Sequence, residues 1–220
     1  LKAVTGTGEL VEFGSATNKN SSGFDLSRLL IGSEGGLALV VEATLKLTPR
    51  PQARQMLRAL FRDVESAAHA VARVMNQANT PSMLEFMDAT SIRLAREIGV
   101  ADIEDAGALI LLETDGEPHL LSSQLQGLAN YLQGDGCISI DIASSDAEQA
   151  QLMAARKALS PALRSLASGK INEDVVVPVS QVPALVRFVE KLSAEQQLSI
   201  VCFGHIGNGN VHVNIMYEKC

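Results

Sequence analysis

Asn208-Gly209 stands between two apolar stretches, residues 199–203 before it and Ile215-Met216 after it, and constrains the chain's geometry more than any other short segment. A type I′ turn needs positive φ at both central residues, which Asn and Gly tolerate best. The pattern predicts a two-residue hairpin in which Gly207 faces Asn210, Ile206 faces Val211 and His205 falls opposite His212. Directly opposed residues share a face, with Cβ atoms about 4.5–5.5 Å apart, and Asn210 and Asn214 share the parity of His212. One face then presents two imidazoles and two carboxamides, while Ile206, Val211, Val213 and Ile215 turn to a core.

Two imidazoles at that separation can share one borderline divalent ion, with a third ligand and open positions supplied from elsewhere. For an arbitrary pair, hydrogen-bonded histidines at a strand edge are the commoner arrangement. Here Gly204, Gly207 and Gly209 let another group approach the backbone closely, which favours a site.

The net charge of −7 argues against a nucleic-acid or anionic-membrane surface, which needs Lys and Arg gathered on one face. No apolar run approaches the roughly 20 residues that cross a bilayer, and no charged-then-apolar leader is present. Cys137, Cys202 and Cys220 are widely spaced and form no CxxC. They indicate neither a disulfide framework nor a thiolate metal site and fit a reducing, cytoplasmic setting. A chain of 220 residues can bury a sizeable core and hold one domain or parts of two. It opens at Leu1 in a strand-like region, as a fragment would.

Thr48-Pro49-Arg50-Pro51 marks a boundary, because two prolines in four residues suit neither a helix interior nor a central strand. Before it the chain reads as β-rich. A short amphipathic helix over 25–31 has Asp25 as N-cap, and the turn Gly32-Ser33-Glu34-Gly35-Gly36 follows. A half-buried strand over 37–47 is then expected, with Leu37, Leu39, Val41, Leu45 and Leu47 in alternation.

Beyond the boundary, strands are expected over 55–61, 82–87, 108–113 and 137–143, and helices over 63–79, 90–98, 118–133 and 145–159. Ser160-Pro161 reads as the start of another helix, Lys170 lies in a loop, and a last helix runs over 182–197. This order predicts an α+β fold of paired ferredoxin-like βαβ units, with helices on one face of a largely antiparallel sheet. His69 and His119 fall in helical patterns as surface residues.

Three segments carry a resemblance. The string GHIGNGNVHVN at 204–214 is similar to the GHxGDGNxHxN signature of the FAD-linked oxidases of the vanillyl-alcohol-oxidase superfamily. The relevant branch contains D-lactate dehydrogenases, the FAD subunit of glycolate oxidase and D-2-hydroxyglutarate dehydrogenase. Asn208 replaces the usual Asp. The string KNSSGFDLSRLLIGSEGGLALVVEATLKL at 19–47 resembles the closing half of that family's FAD domain, with Phe24, Gly36 and Ala38 where Tyr, Thr and Gly are usual. Arg156, Ser160 and Lys170, followed by Glu173-Asp174 and a Val-Val-Pro, resemble its cap segment.

The resemblance implies that residues 1–50 are the C-terminal part of an FAD-binding domain and 51–220 a substrate-binding cap, incomplete at its C-terminus. Asn20, Ser22, Gly23, Asp25, Gly32, Ser33, Glu34, Gly35 and Val40 would lie along FAD, largely through backbone groups. His205 and His212 would hold a divalent metal, zinc ahead of iron or manganese. Arg156, Ser160 and Lys170 would bind a substrate carboxylate, and Asn214 would lie in the substrate pocket.

The implied reaction is oxidation of a D-2-hydroxy acid to the 2-oxo acid by hydride transfer to flavin N5, with the metal orienting this small-molecule substrate. In the resembled family the third ligand and the base come from a downstream Glu-His pair, so the catalytic base is expected beyond Cys220. Electrons would pass to a quinone, cytochrome, electron-transfer flavoprotein or iron-sulfur subunit. A homodimer, partner subunits and peripheral membrane attachment through a partner are all compatible. The alternatives are a non-catalytic flavin-domain subunit of a dehydrogenase complex, or a metal-free flavin oxidase of the same superfamily.

Overall fold

The computed structural model describes residues 1–17, 19–99 and 103–219; Cys220, counted above, lies outside them. The chain divides into two compact units, Leu1–Arg50 and Pro51–Cys220.

In the first unit, strands β1 (Lys2–Thr5), β2 (Leu10–Glu12) and β3 (Ala38–Glu42) form an antiparallel sheet in the order β2-β1-β3. Helix α1 (Leu26–Leu30) is capped by Asp25, whose carboxylate accepts the Arg28 N–H at 3.3 Å. Its core is small: Ala3, Leu30 and Ala38, with Phe13 packed against them. The strand expected over 37–47 is shorter than its alternation suggested, and Leu37, Leu39, Val41, Leu45 and Leu47 are exposed rather than half-buried. Three short strands and a five-residue helix provide too little surface to cover them within this unit.

The second unit contains β4 (Ala53–Phe61), α2 (Val64–Met75), β5 (Met83–Asp88), α3 (Ala89–Glu97), β6 (Ala108–Gly116), α4 (Pro118–Leu132) and β7 (Cys137–Ile142). There follow α5 (Asp146–Ala162), β8 (Gly169–Val176), α6 (Val182–Gln196), β9 (Ser199–His205) and β10 (Asn210–Tyr217). The seven strands form one sheet, β7-β4-β6-β5-β9-β10-β8, with antiparallel neighbours throughout. Its first four strands have the ferredoxin-like order. β8, α6, β9 and β10 repeat the first three strands of that arrangement, so that two ferredoxin-like halves meet along β5 and β9.

Helices cover both faces of this sheet, not one. On one side α2, α4 and α6 enclose Leu57, Phe61, Val71, Phe86, Ile110, Leu128 and Val186. On the other, α3 and α5 enclose Leu60, Met87, Ile92, Leu109, Leu111 and Leu159. The cause is visible in β6, where residues 108–112 read Ala-Leu-Ile-Leu-Leu and are all buried. An uninterrupted apolar run belongs to a strand covered on both sides. Full burial of Phe61 and Phe86 contributes roughly 1.5–3 kcal/mol each.

α5 and the segment after it differ from expectation. The Ser145 hydroxyl caps α5, accepting the Glu148 N–H at 3.2 Å, and the Glu148 carboxylate returns to the Ser144 N–H at 2.8 Å, a reciprocal cap. α5 then continues through Ser160 and Pro161 to Ala162. Proline costs one hydrogen bond in a helix, and near the C-terminal end that loss does not start a new element. Lys170 lies in β8 rather than in a loop.

β5 and β9 are joined by only two ladder pairs, Phe86↔Gly204 and Met87↔Phe203. One step further in either direction the register sets Glu85 opposite His205 and Asp88 opposite Cys202. At the first position the two side chains bond each other, and at the second the Asp88 carboxylate accepts the Cys202 backbone N–H.

Candidate functional site

The hairpin of β9 and β10 pairs Asn210 with His205, Val211 with Gly204 and His212 with Phe203. This register is two residues away from the one predicted. The connection is a short 3₁₀ turn over Ile206–Asn208, closed by Gly209 at φ +70°, in place of a two-residue type I′ turn. Gly209 admits no side chain, since a Cβ would stand 1.8 Å from the Val177 carbonyl oxygen. A slip of two leaves every residue on its predicted face. Ile206, Val211 and Val213 are buried in the core as expected, with Ile215 packed against it.

The opposite face carries the candidate site. His205 and His212 are diagonal neighbours, not directly opposed, with ring centroids 5.2 Å apart and planes at 83°. Each imidazole is held by a carboxylate. His205 Nδ1 bonds Glu85 Oε1 and His212 Nδ1 bonds Asp174 Oδ1. A carboxylate only accepts hydrogen bonds, so Nδ1 is the donor in both and Nε2 is the nitrogen left to take a ligand. Carboxylate-backed imidazoles of this kind are the usual outer arrangement of histidine metal ligands.

Arg156 reaches the same point from α5. Its Nε donates to Glu85 Oε2 at 2.6 Å, and its guanidinium lies 4.5 Å from the centre of the Phe203 ring. The pair is largely enclosed, with side-chain exposures of 14% for Arg156 and 7% for Glu85. The outer nitrogens of Arg156 remain without a protein partner among the described residues. Asp174 is more open, and the hydrogen bond from His212 holds its carboxyl below the usual range.

The other sequence-predicted residues divide. Asn214 is fully buried; its amide donates to the carbonyls of Val201 at 3.2 Å and His212 at 3.3 Å, and its Oδ1 has no partner. Ser160 and Lys170 line one cleft with Arg164, Ser168, Tyr217 and Lys219, rather than joining Arg156 at Glu85. In the first unit, Asn20, Ser22, Gly23 and Asp25 line a cleft with Ser15, Thr17 and Arg28. Gly32, Ser33, Glu34 and Gly35 form a separate tight turn in which Gly32, Glu34 and Gly35 have positive φ. Val40 is exposed on β3.

Glu85 and Asp174 were not selected from the sequence. Glu85 had a signal, being a charge flanked by apolar Met83, Leu84, Phe86 and Met87 in the strand Met83–Asp88; such a residue is seldom buried without a partner. Asp174 was visible only as half of an acidic pair.

Two carboxylate-backed imidazoles on one face suit part of the ligand set of a divalent ion. Among the described residues no group of three or more His, Cys, Asp and Glu side chains is arranged to hold one. For FAD, the buried Ser33 hydroxyl without a partner, set in a turn of positive-φ backbone, fits a segment that meets a polar ligand through main-chain groups.

The profile of "FAD linked oxidases, C-terminal domain" matches residues 50–220. The chain is 30% identical over 213 residues to the glycolate oxidase subunit GlcD of Bacillus subtilis (strain 168), covering 96% of this chain and 45% of that protein. It is 36% identical over 236 residues to the D-2-hydroxyglutarate dehydrogenase of Xanthomonas citri pv. viticola, covering 98% and 46%. The chain thus spans less than half the length of these relatives. Among solved structures, p-cresol methylhydroxylase superposes with a TM-score of 0.73 at 10% identity, over 98% of this chain and 50% of that one.

Proposed function

Since the chain belongs to the FAD linked oxidases, we propose that it is part of an FAD-dependent dehydrogenase converting a D-2-hydroxy acid, of the glycolate, D-lactate or D-2-hydroxyglutarate type, to the 2-oxo acid. The observation that carries this reading is the pair His205 and His212, each with Nδ1 on a carboxylate, beside Arg156.

In this reading FAD, when bound, supplies the two-electron acceptor, and a divalent ion, when bound, supplies a Lewis acid for the substrate hydroxyl. His205 and His212 would hold the ion, zinc ahead of iron or manganese, together with a ligand from elsewhere in the whole protein. Arg156 offers its outer guanidinium edge to the substrate carboxylate, a geometry suited to a bidentate pair. Phe203 supports that guanidinium from below, and Asn214 closes the floor between the strands. Ser160 and Lys170 line the neighbouring cleft and would meet the more distant part of the substrate. Asn20, Ser22, Gly23, Asp25, Val40 and the turn at Gly32–Gly35 would lie along the cofactor. Partner subunits belong to the proposal, because the Bacillus relative is named as a subunit.

The test is anaerobic reduction of the flavin in the full-length protein by glycolate, D-lactate and D-2-hydroxyglutarate, before and after chelation. Chelator-sensitive bleaching by one of them is expected. Bound flavin that none of the three bleaches would sink the proposal. In the same protein, His212→Ala should lose metal and turnover while retaining flavin.

A further inference from the structure

Glu85 lies on β5, in the first ferredoxin-like half, whereas His205 and His212 lie in the second and Arg156 on the helix between the halves. We propose that Glu85 is the positioning residue of the site, using its two carboxylate oxygens to set the His205 imidazole and the Arg156 guanidinium at once. The inference rests on the proposed reading of His205 as a metal ligand and Arg156 as the substrate clamp.

Four observations carry it. Oε1 takes His205 Nδ1 and Oε2 takes Arg156 Nε at 2.6 Å, so each oxygen is committed to one of the two groups. The side chain is 7% exposed and is enclosed by the groups it bonds, which marks its role as acting through others. Continuation of the two-pair β5–β9 ladder sets Glu85 across from His205, so the imidazole–carboxylate bond stands where the next ladder pair would be. Finally, Phe203 lies under the guanidinium, leaving Arg156 one favourable orientation, with Nε towards Glu85 and its outer nitrogens away from it.

The consequence is that imidazole and guanidinium are fixed relative to each other by one group. A carboxylate accepts from both donors; a carboxamide of the same shape accepts from one and presents its own N–H to the other. Glu85→Gln therefore releases either His205 or Arg156 without opening a cavity.

The experiment uses the full-length, flavin-loaded protein and Zn²⁺ itself as probe, with its affinity measured by competition against a chromophoric chelator. Glu85→Gln is expected to keep the flavin spectrum and to weaken Zn²⁺ roughly 10–100-fold, as loss of a ligand's carboxylate partner does. Unchanged Zn²⁺ affinity together with an unchanged KM for the hydroxy acid in Glu85→Gln, alongside loss of Zn²⁺ in His205→Ala, overturns the inference and leaves the reading of the site standing. Zn²⁺ affinity unchanged in His205→Ala overturns that reading and the inference together. Should Glu85→Gln fail to fold, long-range ¹H–¹⁵N spectra of the histidine-labelled wild type decide: Zn²⁺ on His205 Nε2 with a proton on Nδ1 supports the inference, and the opposite assignment ends it.

Discussion

Asp88 Oδ2 accepts the backbone N–H of Cys202 at 2.8 Å, across the seam between β5 and β9. Its Oδ1 accepts the Ser91 N–H at 2.7 Å and so caps α3, while the Ser91 hydroxyl donates to the Cys202 carbonyl at 3.0 Å. One buried carboxylate therefore starts a helix and joins two strands.

Loss of hydration pushes the Asp88 carboxyl up to about 6; the N–H groups of Ser91 and Cys202 pull it down, and Glu190 adds to the rise. The unfolded chain releases this proton near pH 3.9. Between about pH 4 and 6 the folded protein keeps a proton that the unfolded chain has lost, so this group's contribution to stability falls as pH rises through that window and is level above it. A rise of about two pH units corresponds to about 3 kcal/mol. Asp88→Asn should remove that slope. Urea unfolding of both proteins across the window checks it: a wild-type-minus-variant difference that does not change with pH would rule Asp88 out as the source.

Arg156→Lys keeps a charge beside Glu85 and loses the planar fork and its stacking on Phe203. The KM for the hydroxy acid should rise roughly tenfold or more, with the unfolding midpoint little changed. Steady-state kinetics on the full-length protein decide it, and an unchanged KM would return Arg156 to a purely structural role.

Asp174 holds His212 as Glu85 holds His205, but its side chain is 57% exposed against 7%. Water can replace much of what Asp174→Asn removes. That variant should weaken Zn²⁺ less than Glu85→Gln and alter stability by less than about 0.5 kcal/mol. Chelator competition and urea unfolding on the two variants side by side give the comparison; an equal or larger metal defect in Asp174→Asn contradicts it.

Gly209→Ala should destabilise by at least about 2 kcal/mol, since the new Cβ meets a backbone oxygen at 1.8 Å in a residue at φ +70°. Gly127, inside α4 with nothing within 4 Å of a built Cβ, is the contrasting position. There an alanine should stabilise by about 0.5–1 kcal/mol. Denaturant midpoints of the two variants should therefore move in opposite directions.

Side-chain parity made the site's face legible, but its register was not readable from local pattern. His205, Asn210, His212 and Asn214 share a face whether the loop holds two residues or four, because the strand repeat is two. The turn type depends on how residues 206–209 dock against Val177, a contact distant in sequence. β8 escaped notice because Lys170 to Asp174 alternates polar residues with Ile171 and Glu173, which marks no buried face. Its strand character comes from pairing with β10. The fold class followed from the order of periodic segments, while the second helical layer was encoded in the uninterrupted run at 108–112. The pairing of Glu85 with residues 71 and 120 positions away is a tertiary fact that local pattern cannot convey.

The two-pair ladder between β5 and β9 has a mechanical meaning. It is the shortest in the seven-stranded sheet among the described residues, so tension across the strands would part the sheet there first. Glu85 and Asp88 act as rivets at the two ends of that seam, and the Glu85 rivet is also the one that aims His205. Any event that prises the halves apart, even at its opposite end near Asp88, would be felt as a loss of aim at the imidazole.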